Sequence, residues 1–548
     1  MPSNAASVNR LYYGDNLHVL RGSTTSEPIA SESVDLIYLD PPFNSKRDYN
    51  VLFKSPKGQS SDAQIVAFED SWHWGPQAEQ EFAEILGSPN TDVAQMMESL
   101  RQFLGPNDVL AYLTMMANRL IELHRVLKTS GSLYLHCDPT ASHYLKVVLD
   151  GVFGKENFRN EIVWQRALIK GDARKKYGRL HDILFFYTKS NNYSLTIPRR
   201  DPDAEYLARF DHDDNNGHGR YHSAPLDSPN TRPNLTYPYK GYHPPEKGWR
   251  VDITEMKRLH AAGRLIFPPN KNGRIRRKLF LSDAPGPPIG DVWSDIPTLG
   301  PHQRLGYPTE KPLALLERII TASSLPGQVI LDPFCGCGTA VHAAERLGRE
   351  WIGIDITHLA ISLIEKRLKD AFPGIKFEVF GTPTDIDGAR DLALRDKYQF
   401  QWWACSLVNA QPYQGKKKGA DTGIDGLIFF EDEKGKAKRV IVSVKGGENV
   451  GVTMLKDLIA TVQREKAAVG LFVTLTPPTR PMKTEAAAAG FYESPMGGNY
   501  PCIQILTIEG LMNGSERPQY PLAQSGGLTF KRTKVEVRNT HQRNLFER

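Results

Sequence analysis

The stretch "SVDLIYLDPPF" (residues 33–43) places an apolar run directly before an aspartate and two prolines. The run has the length and composition of a buried strand. Proline has no backbone N–H, so Pro41 and Pro42 end the strand and leave Asp40 at its carboxyl tip, with Phe43 just beyond. In an open α/β sheet, ligands bind at the carboxyl ends of the strands. A carboxylate, rigid carbonyl groups and an aromatic ring therefore mark a candidate binding edge.

Strand-like apolar runs alternate with helical patterns over residues 9–190 and again over residues 291–372, which predicts a parallel sheet covered by helices. The run "VLAYLTMMANRLIELHRVLK" (109–128) predicts a helix that leads through "TSG" into the strand "SLYLHCD". A strand over "NEIVWQR" and a helix over "RLHDILFFYTKS" are expected next. Residues 191–290 are polar, rich in proline, glycine and aromatic residues, and without regular periodicity. The pattern indicates an α/β sheet interrupted by an irregular region.

Composition narrows the class of protein. With 548 residues, 40% hydrophobic and 24% charged, the chain has the balance of a globular protein of several domains. No apolar run approaches the roughly 18 residues of a membrane span, and "MPSNAASVNR" lacks a signal peptide's apolar core, so we expect a cytoplasmic protein with no membrane partner. The net charge of +6 permits a polyanionic partner. Five scattered cysteines argue against a disulfide framework, and the lone C-x-C pair of Cys335 and Cys337 is weak evidence for zinc.

A second strand tip lies in "VILDPFCGCGTA" (329–340). The strand ends in Asp332, the turn carries Gly336 and Gly338, and a helix is expected to begin at Thr339. Glycines let the backbone approach a ligand and present N–H groups at a helix N-terminus. "WIGIDI" adds a strand that ends in Asp355, about 20 residues after the turn, where a carboxylate can bind ribose hydroxyls. The spacing indicates a nucleoside-cofactor site; the alternative is two acids that cap helices.

Together these segments resemble the β class of S-adenosylmethionine-dependent DNA amino-methyltransferases. "DPPF" is similar to the catalytic motif of that class, "DPFCGCGT" to its cofactor loop, "YPTEKP" to the segment before that loop and "GIDI" to its ribose-binding segment. In this class the catalytic half precedes the cofactor half, as it does here. The resemblance implies a Rossmann-like methyltransferase sheet with its catalytic half at 9–190, a target-recognition region at 191–290 and its cofactor-binding half at 291–372.

The resemblance also implies roles for individual residues. "YGDNLHVL" is similar to the segment whose acid approaches the cofactor adenine. "LHDILFFYTK" looks like a motif in which His181 and Asp182 shape the base pocket, an ordinary helix start or strand cap being the alternative. The implied catalytic residues are Asp40, Pro41, Pro42 and Phe43, and the implied residues for S-adenosylmethionine are Asp15, Thr309, Lys311, Asp332, Phe334, Gly336, Gly338, Thr339 and Asp355.

The chemistry of such a site can be argued from the residues. An exocyclic amine on a base is a poor nucleophile because its lone pair is delocalised into the ring, and the Asp40 carboxylate and Pro41 carbonyl can accept its two hydrogens. Phe43 can stack on the base, a contact worth roughly 1–3 kcal/mol. The base must be flipped out of double-stranded DNA to reach the pocket. "DPPF" favours methylation at N6 of adenine, and N4 of cytosine, which carries the same two hydrogens, is the alternative. The non-catalytic alternative for "DPPF" is a turn with a packed aromatic ring.

Target recognition is expected within residues 191–290. The alternative, which we expect for most of the aromatic residues there, is packing inside a small irregular domain. The candidates for base-edge, stacking and phosphate contacts are Arg232, Tyr237, Tyr239, Lys240, Trp249, Arg250 and the cluster "GRIRRK".

Residues 389–515 resemble the Mrr-like branch of restriction-endonuclease-like domains, which implies a smaller α/β domain. Asp425 precedes one strand and Lys445 ends the next, an arrangement in which an acid pair holds Mg²⁺ to activate water. Ser443 stands where that branch has an acid or glutamine, and a hydroxyl is a poorer ligand for a hard cation. Mg²⁺ is therefore expected only if the domain is an active nuclease, which would make the enzyme bifunctional. The alternatives are that the domain is a DNA-binding module, or that Asp425 and Lys445 are simply an acid and a base on the surface of neighbouring strands. Residues 516–548 are expected to form a basic tail, and the chain is compatible with a homodimer.

Overall fold

A computed structural model of the chain divides into two compact units. The first comprises residues 1–196 and 291–548, and the second comprises residues 197–290. Two residues of the expected site, Phe43 and Thr309, lie outside the described residues. The structure describes residues 9–22, 27–42, 48–54, 60–69, 73–139, 141–167, 177–215, 217–284, 286–300, 310–413, 423–433, 436–521, 529–530 and 533–538.

Strands and helices alternate through most of the described ranges. The strands are β1 (Asn9–Tyr13), β2 (Val34–Leu39), β3 (Asp48–Lys54), β4 (Ser60–Glu69), β5 (Leu127–Cys137), β6 (Phe158–Gln165), β7 (His181–Thr188), β8 (Tyr221–Pro225), β9 (Leu265–Ile266), β10 (Arg276–Phe280), β11 (Val292–Trp293), β12 (Val329–Asp332), β13 (Glu350–Asp355), β14 (Phe377–Phe380), β15 (Gln411–Pro412), β16 (Gly426–Glu433), β17 (Lys436–Lys445), β18 (Val469–Thr474), β19 (Phe491–Glu493), β20 (Asn499–Pro501) and β21 (Ile503–Thr507).

The helices connect these strands and cover the sheets. None in the described part of the chain is both long and apolar enough to cross a bilayer. They are α1 (Asn16–Arg21), α2 (Pro76–Leu86), α3 (Thr91–Leu104), α4 (Asp108–Val126), α5 (Ser142–Phe153), α6 (Ala204–Ala208), α7 (Ile253–Ala261), α8 (Leu313–Ser323), α9 (Thr339–Arg346), α10 (His358–Ala371), α11 (Ile386–Arg395), α12 (Lys397–Leu407), α13 (Val452–Arg464), α14 (Arg480–Ala488) and α15 (Ile508–Asn513).

Nine strands of the first unit form one sheet in the order β11-β6-β7-β5-β2-β12-β13-β1-β14. β2 pairs in parallel with β12, with Ile37 beside Leu331. β1 pairs in parallel with β13, with Tyr13 beside Asp355. Because the strands of a parallel pair run in the same direction, the carboxyl ends of β1, β2, β12 and β13 lie at one edge of the sheet. The predicted Rossmann-like α/β sheet is confirmed.

β2 lies in the middle of this sheet, and all six of its residues are buried. The one carboxylate among them, Asp35, accepts a hydrogen bond from the backbone N–H of Val329 (2.9 Å) and pairs with the ammonium of Lys128 (2.8 Å). A buried carboxylate needs such partners to offset its lost hydration. Asp35 therefore joins β2 to the first residue of β12 in addition to the strand pairing.

The prediction of a helix over "RLHDILFFYTKS" is wrong, because this segment contains β7. The segment is a strand that runs antiparallel to both β5 and β6, the latter being the strand expected over "NEIVWQR". Seven of its eight residues are buried. A strand covered on both faces has a continuous apolar run, and its pattern cannot be told from that of a buried helix by periodicity.

The predicted helix of residues 109–128 is α4. Its N-cap, Asn107, accepts a hydrogen bond from the backbone N–H of Leu110 (2.9 Å), and the basic residues His124 and Arg125 lie in the last turn, where they suit the helix dipole. Thirteen of its residues are buried, and nine of these belong to one hydrophobic core with β2, β5 and α5. Arg119 is one of the thirteen, a charged residue whose partners lie at the candidate site.

The second unit contains the antiparallel sheet β8-β10-β9 and the helix α7. Trp249 is fully buried in its core, and Tyr239 is 6% exposed. These two rings pack inside the unit, as expected for most of the aromatic residues of this region, and not at its surface. Arg232, Lys240 and Arg250 are exposed. The core residues are Leu226, Tyr239, Tyr242, Trp249, Met256, Leu259, Leu265 and Ile275.

Residues beyond position 372 form a second α/β sheet in the order β15-β16-β17-β18-β21. Along β17, Val440, Val442 and Val444 pack in one core with α11 and α12, whereas Ile441 packs in another with α13. This period of two is that of a strand buried on both faces. The expected smaller C-terminal α/β domain is confirmed.

The C-terminal segments also pack on helices that cover the nine-stranded sheet. Trp402 of α12 lies in a cluster with Leu359 and Ala360 of α10, and Phe530 packs against the same cluster. Further along, Arg538 donates to the buried Glu345 of α9 (2.6 Å). Residues 516–521, 529–530 and 533–538, the described part of the expected basic tail, contain no helix or strand.

Trp351 provides a test of the packing at β13. Its side chain is 1% exposed, and its indole N–H donates to Glu345 (3.0 Å). Replacing Trp351 by Ala is expected to lower the free energy of unfolding by about 3–5 kcal/mol in urea titrations, because it leaves a large cavity. Leu394→Ala, at a position that is 89% exposed, is the control and should change it by no more than about 0.5 kcal/mol. Equal losses for the two variants would contradict the burial of Trp351.

Candidate active site

A cavity of about 670 Å³ lies where β1, β2, β12 and β13 end. Its volume is within the range of roughly 300–1,000 Å³ that is typical of small-molecule sites. The cavity brings together residues that are almost 300 positions apart in the sequence. The expected site residues that line it are Asp15, Asp40, Pro41, Pro42, Lys311, Asp332, Phe334, Gly336, Thr339 and Asp355.

Asp40 lies at the tip of β2 with its two carboxylate oxygens in different situations. Oδ2 pairs with the ammonium of Lys311. Oδ1 is buried and has no hydrogen-bond partner among the described residues. A buried acceptor without a partner costs about 1–3 kcal/mol, so this oxygen marks the position at which a donor on a ligand is expected. Lys311, which the resemblance assigned to the cofactor, therefore contacts the expected catalytic carboxylate.

Asp332 and Asp355 are buried carboxylates at the tips of neighbouring strands. Asp332 accepts a hydrogen bond from the backbone N–H of Phe334 (3.1 Å), and burial, with the nearby charges of Asp40 and Asp355, raises its pKa well above the usual range. Asp355 accepts from the backbone N–H groups of Gly336 and Thr357 (2.9 Å each). Burial raises the pKa of Asp355 to about 6, although these bonds oppose the shift. The turn and the carboxylate of β13 therefore hold one another in place.

The glycines of the turn serve different purposes. Gly336 lines the cavity and has a φ of +52°. Gly338 has a φ of +76°, and a Cβ there would lie 2.7 Å from Cγ1 of Ile364. Gly338 allows α10 to approach the turn and is not among the residues that line the cavity. The buried Arg367 of α10 donates to the carbonyl of Cys337 (3.1 Å) and so fixes the turn from the same side.

Two polar residues that the sequence analysis missed connect α4 to the site. Arg119 donates to Asn16 Oδ1 (2.6 Å) and to Asp15 Oδ2 (2.7 Å), and Asn16 donates to the carbonyl of Pro333 (2.8 Å). Oδ1 of Asp15 caps α1 through the N–H of Leu17 (2.9 Å). Both oxygens of Asp15 are thus engaged within the protein. The signal in the sequence was an arginine inside the apolar helical run "MMANRLIEL".

A buried polar chain extends from the cavity into the sheet. The Tyr38 hydroxyl, on β2, lies 3.0 Å from His136 Nδ1, and His136 Nε2 lies 3.3 Å from Asp182. Burial tends to raise the pKa of Asp182, but the hydrogen bond with His136 and nearby positive charges lower it overall. Tyr38 lines the cavity, whereas His181 and Asp182 do not. Asp182 is therefore connected to the cavity through His136 and Tyr38.

The expected nuclease residues lie close together in the C-terminal sheet. The Asp425 carboxylate accepts hydrogen bonds from the backbone N–H of Val444 (2.7 Å), from Gln401 (3.1 Å) and from the Ser443 hydroxyl (3.4 Å). Lys445 Nζ is 3.9 Å from it. Both oxygens of Asp425 are thus used inside the protein. Among the described residues, no group of three or more His, Cys, Asp and Glu side chains is arranged to hold a metal ion.

Gly338→Ala tests the account of the cofactor turn. The added Cβ would meet Ile364 while the backbone keeps a φ that suits glycine, so the turn and α10 must separate. We expect thermal denaturation to show a loss of stability of roughly 1–3 kcal/mol. Gly327→Ala is the matched control, because Gly327 also has a positive φ (+80°) but no atom within 4 Å of an added Cβ. A larger loss for Gly327→Ala would contradict the role of Ile364.

Known proteins match both parts of the chain. The DNA methylase family profile matches residues 34–366, and a profile described as NACHT-associated inactive restriction endonuclease 1 matches residues 405–512. The chain is 34% identical over 262 residues to the type II methyltransferase M.EcaI of Enterobacter cloacae, a match that covers 47% of this chain. It is 25% identical over 362 residues to the Mod subunit of the type III enzyme StyLTI of Salmonella typhimurium, over 64% of this chain.

The chain spans 57% of the length of M.EcaI and 52% of the StyLTI Mod subunit. Among solved structures, it is similar to a DNA modification methylase of Thermus thermophilus, complexed with S-adenosyl-L-methionine, at 17% identity and a TM-score of 0.32, over 68% of this chain and 100% of the other. The DNA methylase profile covers more than half of the 548 residues and includes β2, β12 and β13. The chain belongs to the DNA methylase family.

Proposed function

We propose that the protein transfers a methyl group from S-adenosylmethionine to the exocyclic N6 amine of adenine at a specific site in double-stranded DNA. The observation that carries this proposal is the buried Oδ1 of Asp40, an acceptor at the cavity without a partner among the described residues. An amine hydrogen is a donor that suits such an atom. The match to the DNA methylase family supports the same reaction class.

Asp40 and Pro41 prepare the amine for attack. The ion pair with Lys311 occupies Oδ2 and fixes the plane of the carboxylate, so that Oδ1 is left to accept one amine hydrogen. The carbonyl of Pro41 accepts the other. With both hydrogens held, the nitrogen lone pair is localised and oriented, and no covalent enzyme intermediate is needed. Phe43 remains the predicted stacking platform for the flipped base.

The tips of β12 and β13 and the turn before α9 form the cofactor part of the cavity. When bound there, S-adenosylmethionine supplies the methyl group on a sulfonium centre. Asp355 offers carboxylate oxygens to the ribose hydroxyls, and Asp332, close to Asp40, offers a second acidic group. The cavity volume and this set of acceptors fit a cofactor that carries hydroxyl and ammonium groups.

DNA is the proposed partner, and the exposed basic residues of the second unit are the proposed phosphate contacts. Arg232, Lys240 and Arg250 are exposed there, as are Arg274 and Arg276 of the basic cluster. Contacts of this type position a protein on DNA without reading sequence, so base-edge contacts must come from other groups of the unit. The homodimer remains a prediction.

Adenine is the proposed base, with cytosine N4 as the alternative, and the reaction product decides between them. Purified protein, S-adenosylmethionine and genomic DNA should yield N6-methyladenine after digestion to nucleosides and mass spectrometry. N4-methylcytosine would show that the base assignment is wrong, and no methylated nucleoside would contradict the proposed function. Sequencing the methylated DNA would then give the recognition sequence.

The Asp40→Ala variant tests the catalytic assignment. It removes the acceptor for the amine and leaves the tips of β12 and β13 intact, so methyl transfer should fall by roughly 100- to 1,000-fold while cofactor affinity changes little. Transfer is measured with radiolabelled cofactor and affinity by calorimetry. Glu98→Ala, on the exposed side of α3, is the control and should behave as the wild type. An Asp40→Ala variant that transfers methyl groups as fast as the control would exclude Asp40 from catalysis.

The C-terminal sheet is proposed to be a nuclease-like domain without cleavage activity. Asp425 accepts hydrogen bonds from inside the protein, Ser443 replaces the second acid, and the matching family is described as inactive. We expect supercoiled plasmid of any methylation state to stay uncut by the wild type in Mg²⁺ or Mn²⁺. The Lys445→Ala variant should give the same result. Metal-dependent cleavage that Lys445→Ala abolishes would support the bifunctional alternative instead.

A further inference from the structure

The cavity at the end of the nine-stranded sheet has a wall that the DNA methylase profile does not include. Asp396 and Gln399 line it together with Tyr13, Asp355 and Thr357. Both residues lie at the start of α12, about 30 positions beyond residue 366, where the family match ends. The C-terminal region therefore contributes directly to the expected cofactor site.

Contacts of α12 with α10 fix this wall. Trp402, one turn after Gln399, is buried in a cluster with Cys337 of the glycine turn and with Leu359 and Ala360 of α10. The backbone N–H of His358 donates to Gln399 Oε1 (3.0 Å). The start of α12 is thus held against the elements that carry the cofactor turn.

A stack of rings connects the wall to β1. The ring of His358 stacks on that of Tyr13, with centroids 3.6 Å apart. Burial raises the pKa of Tyr13 to about 12; the charge of Arg395 opposes this shift, and those of Asp396 and Asp355 add to it. Tyr13 directly precedes Gly14 and Asp15, which line the same part of the cavity. Asp396 and Gln399 therefore lie beside the residues expected to meet adenine and ribose.

The hydrogen bonds within the protein decide which atoms the wall can offer to a ligand. Asp396 Oδ1 caps α12 by accepting from the N–H groups of Tyr398 and Gln399 (3.0 Å each), so Oδ2 is the oxygen available as an acceptor. Gln399 Oε1 must face the N–H of His358, so its NH₂ group is available as a donor. One acceptor beside one donor matches an adenine edge, where an amino group adjoins a ring nitrogen. Asp15, the acid expected at the cofactor adenine, lines the same cavity.

We propose that the C-terminal domain completes the cofactor site, with the Asp396 carboxylate and the Gln399 amide in contact with the nucleoside half of S-adenosylmethionine. The proposal rests on the proposed function, because it requires that this cofactor binds in the cavity. It gives the nuclease-like domain a use that does not depend on cleavage. A methyltransferase half without this domain would bind the cofactor weakly.

Two substitutions remove one ligand-facing atom each and keep the contacts inside the protein. Asp396→Asn retains a side-chain oxygen that caps α12, since asparagine caps as well as aspartate. Gln399→Glu retains an acceptor for the N–H of His358 and removes the donor. Gln399→Met, without polar atoms, controls for the added charge. Asp387→Asn, at a side chain of α11 that is 85% exposed, is the matched control.

Calorimetry of the full-length protein with S-adenosylmethionine and with 5′-methylthioadenosine, which lacks the amino-acid end, tests the proposal. Asp396→Asn and both Gln399 variants should weaken both ligands by roughly 5- to 10-fold, the loss of one hydrogen bond. Asp387→Asn should bind as the wild type. The unfolding midpoint without ligand should stay unchanged in Asp396→Asn and Gln399→Glu, which separates loss of contact from loss of structure.

Three results would overturn the proposal. Wild-type affinity in the Asp396 and Gln399 variants would show that the wall does not touch the cofactor. Weaker S-adenosylmethionine binding with unchanged 5′-methylthioadenosine binding would place the contact at the amino-acid end. A wild-type protein that binds neither ligand would remove the proposed function and this inference together, whereas the first two results leave the proposed function standing.

Discussion

The parallel pairing of β2 with β12 is the constraint on which the candidate site depends. The two strands are almost 300 residues apart in sequence, yet Ile37 lies beside Leu331, and the carboxylate of Asp35 accepts a hydrogen bond from the N–H of Val329. This register brings Asp40 and Asp332 to the same edge of the sheet. A single strand between them would separate Asp40 from the glycine turn after β12.

Fixing four strand tips at one edge gathers acidic groups, and the protein offsets their charge with buried partners. Lys311 pairs with Asp40, Arg119 with Asp15, and the N–H groups of the turn and of Thr357 bind Asp355. Oδ1 of Asp40 has no such partner in the described ranges, and Asp396, whose Oδ1 caps α12, also lines the cavity. Charges that would destabilise an ordinary core are thereby placed where a ligand can satisfy them.

A feature of the fold or of the candidate site can be predicted from the sequence when neighbouring residues determine it. Proline and glycine mark strand ends and turns by their own backbone limits, so the tips of β2 and β12 and the start of α9 could be predicted. β7 was mistaken for a helix because burial on both faces removes the alternation that marks a strand. Gly338 allows close packing of Ile364, which no local pattern predicts, and its expected contact with a ligand stays a prediction. The placement of Asp396 and Gln399 in the cavity depends on tertiary docking through Trp402, for which no local pattern exists.

A crystal structure of the full-length protein with S-adenosylhomocysteine tests the central claim most directly, because that claim concerns where one ligand meets two distant halves of the sequence. The account predicts density for the ligand in the cavity between Asp40 and Asp355, in contact with residues from both β2 and the turn after β12. A ligand bound elsewhere, or a sheet in which β2 does not pair with β12, would contradict it.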